Sequence, residues 1–364
     1  MKILHVLANL ELGGAQIVAT QLVNEQVLRG HQVGVAAADG ELWAEVDPRV
    51  RRLSMPVGTG ARVRGTWHVR KALRVDSWDV VHTHQRALST VVHAVRGRGR
   101  FCHVEHVHSR LPSASRRFLS FRADALIACG TAIAQMLVEE YGRPPGIVHT
   151  VLNGVSDHGV RRMNRPPSDR PLNIVNIARM SELKDPLRFV ETIRHLRDLG
   201  VDVESTWYGD GELLDQVRAT VRELALEAQV RLPGRDRQAT KALASADLLL
   251  LTSRREGVPL AALEACAAGV PIIAPDVGSI SDVVEPPTNG VLFHPRSTGS
   301  EIAGLLEELG QNRDRLDSMG AQARAVYERR FTLERFAQRV DEVYASAVAD
   351  GSVGMRRWLR PSHP

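Results

Sequence analysis

Short apolar runs alternate along the chain with longer stretches in which apolar residues recur at helical spacing. Residues 3–8 form the first run. Ile17, Val18, Leu22, Val23, Val27 and Leu28 then mark one face of a helix that stops at Gly30. Runs at 31–38, 50–55, 79–83, 101–107, 124–129 and 147–152 read as strands, with helices at 66–75, 86–96 and 131–141 among them. The pattern breaks at 161–171, RRMNRPPSDRP, whose prolines and arginines suit a linker. A second series follows: strands at 172–177, 201–208, 230–232, 248–251 and 270–274, helices at 186–199, 212–226 and 236–245, then helices at 298–309, 312–328 and 333–349. Strands alternating with helices predict parallel sheets covered on both faces. The expectation is therefore an α/β chain of two doubly wound Rossmann-like domains, 1–160 and 172–332, with a ligand in a central cleft at the carboxyl ends of the strands. The tail 350–364 reads as disordered or peripheral.

One stretch concentrates chemistry, TSRREGVPLAALEACAAGVPIIAPDVGSISDVVE at 252–285. Pro259 falls where a first helical residue is expected, Leu260, Leu263 and Ala267 keep helical spacing, and Gly269 ends the helix. Glu256 precedes this helix and Glu264 lies two turns into it, so both are expected to reach one ligand across the helix start. The unpaired amides of that start favour a phosphate. Arg179 and Lys184 follow the first strand of the second series, where two cations can neutralise a diphosphate leaving group. Asp185 is placed to cap the next helix, with Pro186 at its first position. The chain has only the lysines Lys2, Lys71, Lys184 and Lys241 among its 47 basic residues, which singles out Lys184 as a compact point charge. Gly13-Gly14 join a strand to a helix start, where small residues let backbone amides approach a phosphate. His82, His84, His93, His103, His106 and His108 crowd one segment. No carboxylate or cysteine beside them completes a familiar ligand set, so they read as structural histidines rather than a metal centre.

Composition adds a charge asymmetry. Residues 1–150 carry a net charge of +7 and the remainder −2, within a total of +5 for 364 residues. Arg62, Arg64, Arg70, Lys71 and Arg74 share a short segment with Val63, Trp67 and Val69, a mixture that suits an anionic membrane surface or an anionic acceptor. Nucleic acid is disfavoured, because aromatics to stack bases are nearly absent there. Cys102, Cys129 and Cys266 lack metal-like spacing and read as buried thiols of a reducing compartment. Neither a signal peptide nor an apolar run long enough to span a membrane is read, which points to the cytoplasm, with the membrane's inner face as a peripheral option.

Glu256, Gly257, Val258, Pro259 and Glu264 together resemble the donor-site signature of retaining glycosyltransferases of family 4, which have the GT-B fold. The resemblance covers about residues 1–349 and implies a nucleotide-sugar donor (UDP-, GDP- or ADP-linked), a glycan or lipid-linked acceptor and no further cofactor. It implies that Glu256 contacts the donor sugar, that amides near Val258, Pro259 and Leu260 meet sugar and phosphate, that Glu264 holds the ribose, and that Arg179 and Lys184 meet the diphosphate. Gly13, Gly14 and the turn at Gly209 would line the donor, His106 or His108 would lie near the reacting sugar, and the helix at 333–349 would return to the first domain. The chain departs from the family's pattern at Gln16, usually Glu, and at Ala178 and Asp185, each usually Gly. No Asp-x-Asp appears, so cations and helix dipoles are expected in place of a metal. A nucleotide-sugar epimerase of similar fold and a non-catalytic sugar-nucleotide-binding protein are the alternatives.

Overall fold

The computed structural model describes residues 1–56, 63–97, 101–110, 119–163 and 170–358. The chain divides into two compact units, Met1–Gly154 together with the chain from Leu333, and Val155–Thr332. The division falls ahead of the expected 161–171 linker. Residues 164–169 of that linker lie outside the described residues. Arg162 and Arg170, on either side of them, are both bound to Asp247 within the second unit.

In the first unit β1 (Lys2–Asn9), β2 (Gln32–Ala38), β3 (Arg51–Ser54), β4 (Val80–Thr83), β5 (Cys102–Val107), β6 (Ala125–Ala128) and β7 (Val148–Thr150) form one sheet in the order β3-β2-β1-β4-β5-β6-β7. Every strand pair in it is parallel. The strand alternation separates two cores. Leu4 and Val6 join Val81, Leu88 and Val92, whereas Leu7 joins Ala19, Val23 and Val35. The first core lies under α2 (Val63–Arg74) and α3 (Arg86–Val95), the second under α1 (Gly14–Leu28). The region expected as one helix at 131–141 is α4 (Thr131–Gln135) followed by a π-helical turn, Met136–Glu140.

In the second unit β8 (Leu172–Ile177), β9 (Val203–Tyr208), β10 (Val230–Gly234), β11 (Leu248–Leu250), β12 (Ile272–Pro275) and β13 (Gly290–Phe293) run parallel in the order β10-β9-β8-β11-β12-β13. Around them lie α5 (Pro186–Asp198), α6 (Leu214–Glu223), α7 (Leu260–Ala268), α8 (Gly299–Gln311) and α9 (Arg313–Arg330). Phe189 meets Trp207 edge-on at 5.2 Å in the core. Asp247 is a buried hub: its carboxylate receives Arg170 at 2.6 and 2.7 Å, Arg313 at 2.7 Å and the Asn173 amide at 2.9 Å. These charge-assisted bonds hold the Asp247 carboxyl below the usual range despite its burial.

Three expectations are corrected. The region 236–245 holds only a 3₁₀ turn, Ala239–Ala244. The edge strand β13 had no sequence reading, because four residues show too little alternation to register. The tail is helical rather than disordered at its start: α10 (Leu333–Trp358) continues through Gly351 and Gly354. Each glycine weakens a helix by about 1 kcal/mol, too little to stop one already propagating over many turns. Residues 359–364 lie outside the described residues. α10 packs on α1, β5 and β6 within the first unit.

Candidate functional site

Strand order reverses between β8 and β11, adjacent parallel strands of the second sheet. Two such strands send their following loops out side by side, which makes the usual ligand crevice of an open α/β sheet. The loop after β8 carries Arg179 and Lys184, and the loop after β11 carries Glu256. Hydrogen bonds stitch them together. The Thr252 hydroxyl donates to the carbonyls of Lys184 and Asp185 at 3.1 and 3.0 Å. The Arg254 amide donates to Leu183 at 2.8 Å. Arg188, reaching from α5, donates to the Thr252 and Pro295 carbonyls.

This stitching brings Lys184 against Glu256. The ammonium lies 2.5 Å from Glu256 Oε1, and the Ser253 hydroxyl donates to the same oxygen at 2.6 Å. Glu256 is buried, so its charge is held by these two partners rather than by water. Gly278 packs over it at φ +62°, where an added Cβ would stand 1.9 Å from the Glu256 carbonyl oxygen. Only glycine fits that approach.

Asp185 does not cap α5 as expected. Its φ is +51° and its side chain makes no cap bond. It pairs instead with Arg254 at 2.9 Å and with Arg188 at 3.6 Å. The left-handed backbone explains why the related pattern carries glycine here, and aspartate is among the few other residues that tolerate it.

Arg179 is far more exposed, its side chain 73% accessible, and meets Glu212 at 3.2 Å. A pair of this kind contributes only about 0–1 kcal/mol, so an arriving anion can replace Glu212 at little cost. Gly209 at φ +145° passes directly beneath this loop, and an added Cβ would lie 1.9 Å from the Ala178 carbonyl oxygen. The glycine thus seats the Arg179 loop.

α7 begins at Leu260, with Pro259 as the residue before the helix rather than its first residue. Val258 and Pro259 are buried, while Gly257 and Leu260 are partly exposed. Glu264 does not join the Lys184–Glu256 pair. It lines a small cavity with Ser156, His158, Thr240 and Leu243. Desolvation there pushes its carboxyl up to about 7.

Sequence reading missed Ser253, Thr252 and Arg188. Ser253 stands three residues before Glu256, a spacing that could have flagged it. Arg188 sits between Leu187 and Phe189 on α5 and carries no local signal.

The first sheet reverses order between β1 and β4. Gly13 precedes α1 with φ −159°, an ordinary extended conformation, and Gly14 opens the helix. An added Cβ at Gly13 would meet only the flexible Gln16 side chain, which donates to Asn9 at 3.2 Å. The backbone alone therefore does not require glycine at Gly13.

His5 on β1, His82 and His84 at the end of β4, and His106 and His108 at the end of β5 stack into one imidazole cluster. Nitrogens of His5, His82 and His84, and of His84, His106 and His108, lie within 4.8 Å of one another. The short contacts join rings in pairs: His5 Nδ1 to His84 Nε2 at 2.9 Å and His84 Nδ1 to His108 Nε2 at 3.1 Å. His106 is buried, with neither ring nitrogen hydrogen-bonded among the described residues, while His108 is partly exposed. Burial pushes the His108 ring down to about 4, so it is neutral at pH 7.

The chain matches two family models, one described as Glycosyltransferase Family 4 over residues 12–158 and one as Glycosyl transferases group 1 over residues 161–326. An amylovoran biosynthesis glycosyltransferase of Erwinia amylovora is 28% identical over 52% of this chain and 48% of its own length. The chain thus spans about half of that relative. A D-inositol 3-phosphate glycosyltransferase of Xylanimonas cellulosilytica is 26% identical over 93% of this chain and 92% of its own. Among solved structures, a glycosyltransferase of Rickettsia africae superposes with a TM-score of 0.81 at 17% identity, covering 95% of this chain and 98% of that one. HepE of Anabaena, in complex with UDP-glucose, gives 0.80 at 20% identity, covering 95% and 100%. Both superpositions concern the GT-B fold.

Proposed function

This chain belongs to glycosyltransferase family 4, and from that premise we propose that it is a retaining, metal-independent enzyme. It would move a hexosyl group from a UDP-, GDP- or ADP-sugar to a glycan or lipid-linked acceptor in cell-envelope or exopolysaccharide synthesis. The observation that carries the reading is the Lys184–Glu256–Ser253 arrangement at the switch point of the second sheet. Glu256 accepts hydrogen bonds from donor-sugar hydroxyls while Lys184 and Arg179 face the diphosphate. As the bond from the anomeric carbon to the β-phosphate oxygen breaks, negative charge grows on the leaving diphosphate, and these cations stabilise it. The acceptor hydroxyl oxygen forms the new bond on the same face, and its proton passes to the departing phosphate. The complexes and names of the relatives support a nucleotide-sugar donor. The test is incubation with a panel of nucleotide sugars, reading release of nucleoside diphosphate with and without EDTA. Release from at least one donor, unchanged by EDTA, is expected. Release from none of them overturns the reading, and loss in EDTA restored by Mg²⁺ or Mn²⁺ overturns its metal-free part.

Glu264 is assigned the ribose hydroxyls. Its carboxyl, near 7, accepts two such bonds when ionised and is a poorer partner when protonated. Affinity for free nucleoside diphosphate should therefore rise with pH through 7 in the wild type. Glu264→Gln should lose this dependence and bind about 1–3 kcal/mol more weakly at pH 8. Calorimetric titration showing equal affinity at pH 8 would contradict the ribose role.

The first unit is assigned a peripheral contact with an anionic membrane face. α2 buries Val69, Ala72 and Leu73 and exposes Trp67, Arg70, Lys71 and Arg74, with the Lys71 ammonium 5.5 Å from the Trp67 ring centre. Arg62 lies outside the described residues. Among the described residues no helix is long and apolar enough to cross a membrane. Vesicles rich in anionic lipid should retain the protein at low salt and release it as screening rises, and Trp67→Ala should weaken retention about tenfold. Equal retention on neutral vesicles would rule out the electrostatic contact.

A further inference from the structure

Of His106 and His108, the two candidates for the reacting sugar, His106 is buried and His108 is partly exposed, so His108 is the one a sugar hydroxyl can reach, and the open point is which of its nitrogens faces the substrate. A chain of hydrogen bonds in the first unit answers this. Gln26 on α1 offers its side-chain oxygen to His5 Nε2 at 2.8 Å. That oxygen has no hydrogen, so His5 carries its proton on Nε2. His5 Nδ1 is then a lone pair, and it lies 2.9 Å from His84 Nε2, which must be the donor. His84 Nδ1 is in turn a lone pair 3.1 Å from His108 Nε2, which must donate as well. The three rings are close to parallel, 19° apart at each step.

The far end of Gln26 agrees with this direction when the Tyr344 hydroxyl donates to His82. Its Nε2 donates to the Tyr344 hydroxyl at 3.3 Å, and that hydroxyl lies 2.5 Å from His82 Nδ1. Gln26, His5, His84 and Tyr344 are all buried, so no solvent water can take over a broken link. Desolvation keeps His5 and His84 neutral, as a chain of alternating donors and acceptors requires.

We infer that Gln26, His5 and His84 are positioning residues that lock His108 in its Nε2–H tautomer, leaving Nδ1 as the lone pair presented to the substrate. This rests on the proposed placing of His108 beside the reacting sugar. A lone pair receives a hydroxyl hydrogen and repels a carboxylate or phosphate oxygen. The group that His108 meets is therefore a neutral sugar hydroxyl, and a substrate carrying a carboxylate at that position is refused.

The test uses the full chain with ¹⁵N-labelled histidine, the His108 signals being assigned by their loss in His108→Asn. Wild type should show His108 protonated at Nε2 and bare at Nδ1. Gln26→Leu removes the terminal acceptor, so His108 should populate both tautomers. Its turnover should fall about tenfold, with the donor KM within twofold, because a misplaced N–H faces the hydroxyl. Gln26→Glu keeps an acceptor oxygen and should keep both the tautomer and turnover within about threefold. A wild-type His108 protonated at Nδ1 overturns the inference even if Gln26→Leu fails to fold, and so does an unchanged tautomer in that variant. A shifted tautomer with unchanged turnover leaves the lock standing and overturns the placing of His108 at the reacting sugar.

Discussion

Lowering the pH from 7.5 to 5 should unfold the first unit while the second stays folded. His5, His82, His84, His103 and His106 are buried there, and desolvation lowers the ring pKa of each, to about 4 for His5 and about 3 for His103. The folded unit keeps these rings neutral, whereas the unfolded chain protonates each one near 6.5. Their contribution is thus complete above pH 6.5 and drains away as the pH falls toward 4. At pH 5 the difference is about 2 kcal/mol each for His5 and His103, and His82, His84 and His106 act in the same direction. Glu105 works in the opposite direction. Burial raises its carboxyl from 4.5 to about 8, so it destabilises at neutral pH and recovers about 3 kcal/mol on acidification. His5 and His103 together, about 4 kcal/mol, already offset that recovery, and the other three rings deepen the loss from a domain stability of only about 5–15 kcal/mol. Among the described residues the second unit buries no histidine. Hydrogen exchange resolved by peptide should show protection lost in β1, β4 and β5 at pH 5 and retained in β8, β9 and β11. Equal protection of the first unit at both pH values would refute this account.

Strand and helix periodicity makes most of the fold legible in the sequence. Buried parallel strands such as β6 and β11 are continuous apolar runs too short for a helix. The misses share a cause, since they depend on what lies across the fold. Helix α10 runs through two glycines that local propensity would place at its end. β13 exists because β12 offers an edge. At the candidate site the spacing of Arg179, Lys184 and Glu256 was readable because each follows or precedes a recognisable element. That Lys184 binds Glu256 directly, and that Glu264 faces a different cavity, depends on the stitching of two loops far apart in sequence. The histidine cluster shows the same limit. Four of its five rings, His82, His84, His106 and His108, were visible as a crowd, but Gln26, Tyr344 and His5, which give the cluster its direction, come from the first helix, the last helix and the first strand.

Removing the Lys184 ammonium should lower turnover by roughly 10²–10³, the scale of losing one preorganised charge at a developing oxyanion. Lys184→Ala leaves Glu256 buried with only the Ser253 hydroxyl, and an uncompensated buried charge destabilises as well as inactivates. A loss of activity in the single variant could therefore come from either effect. The double variant Lys184→Ala with Glu256→Gln separates them. It removes both charges and keeps the Ser253 hydrogen bond, so its melting temperature should return to within a few degrees of wild type. Turnover should stay low, because neither the cation proposed for the diphosphate nor the carboxylate proposed for the sugar is restored. Lys184→Arg should not rescue either. The space between Glu256 Oε1 and the loop is filled by a compact ammonium at 2.5 Å, and a planar guanidinium is broader than that. The readout is release of nucleoside diphosphate at saturating donor, paired with thermal melts of each variant. Recovery of turnover along with stability in the double variant would make the pair a structural bridge and remove Lys184 from the chemistry.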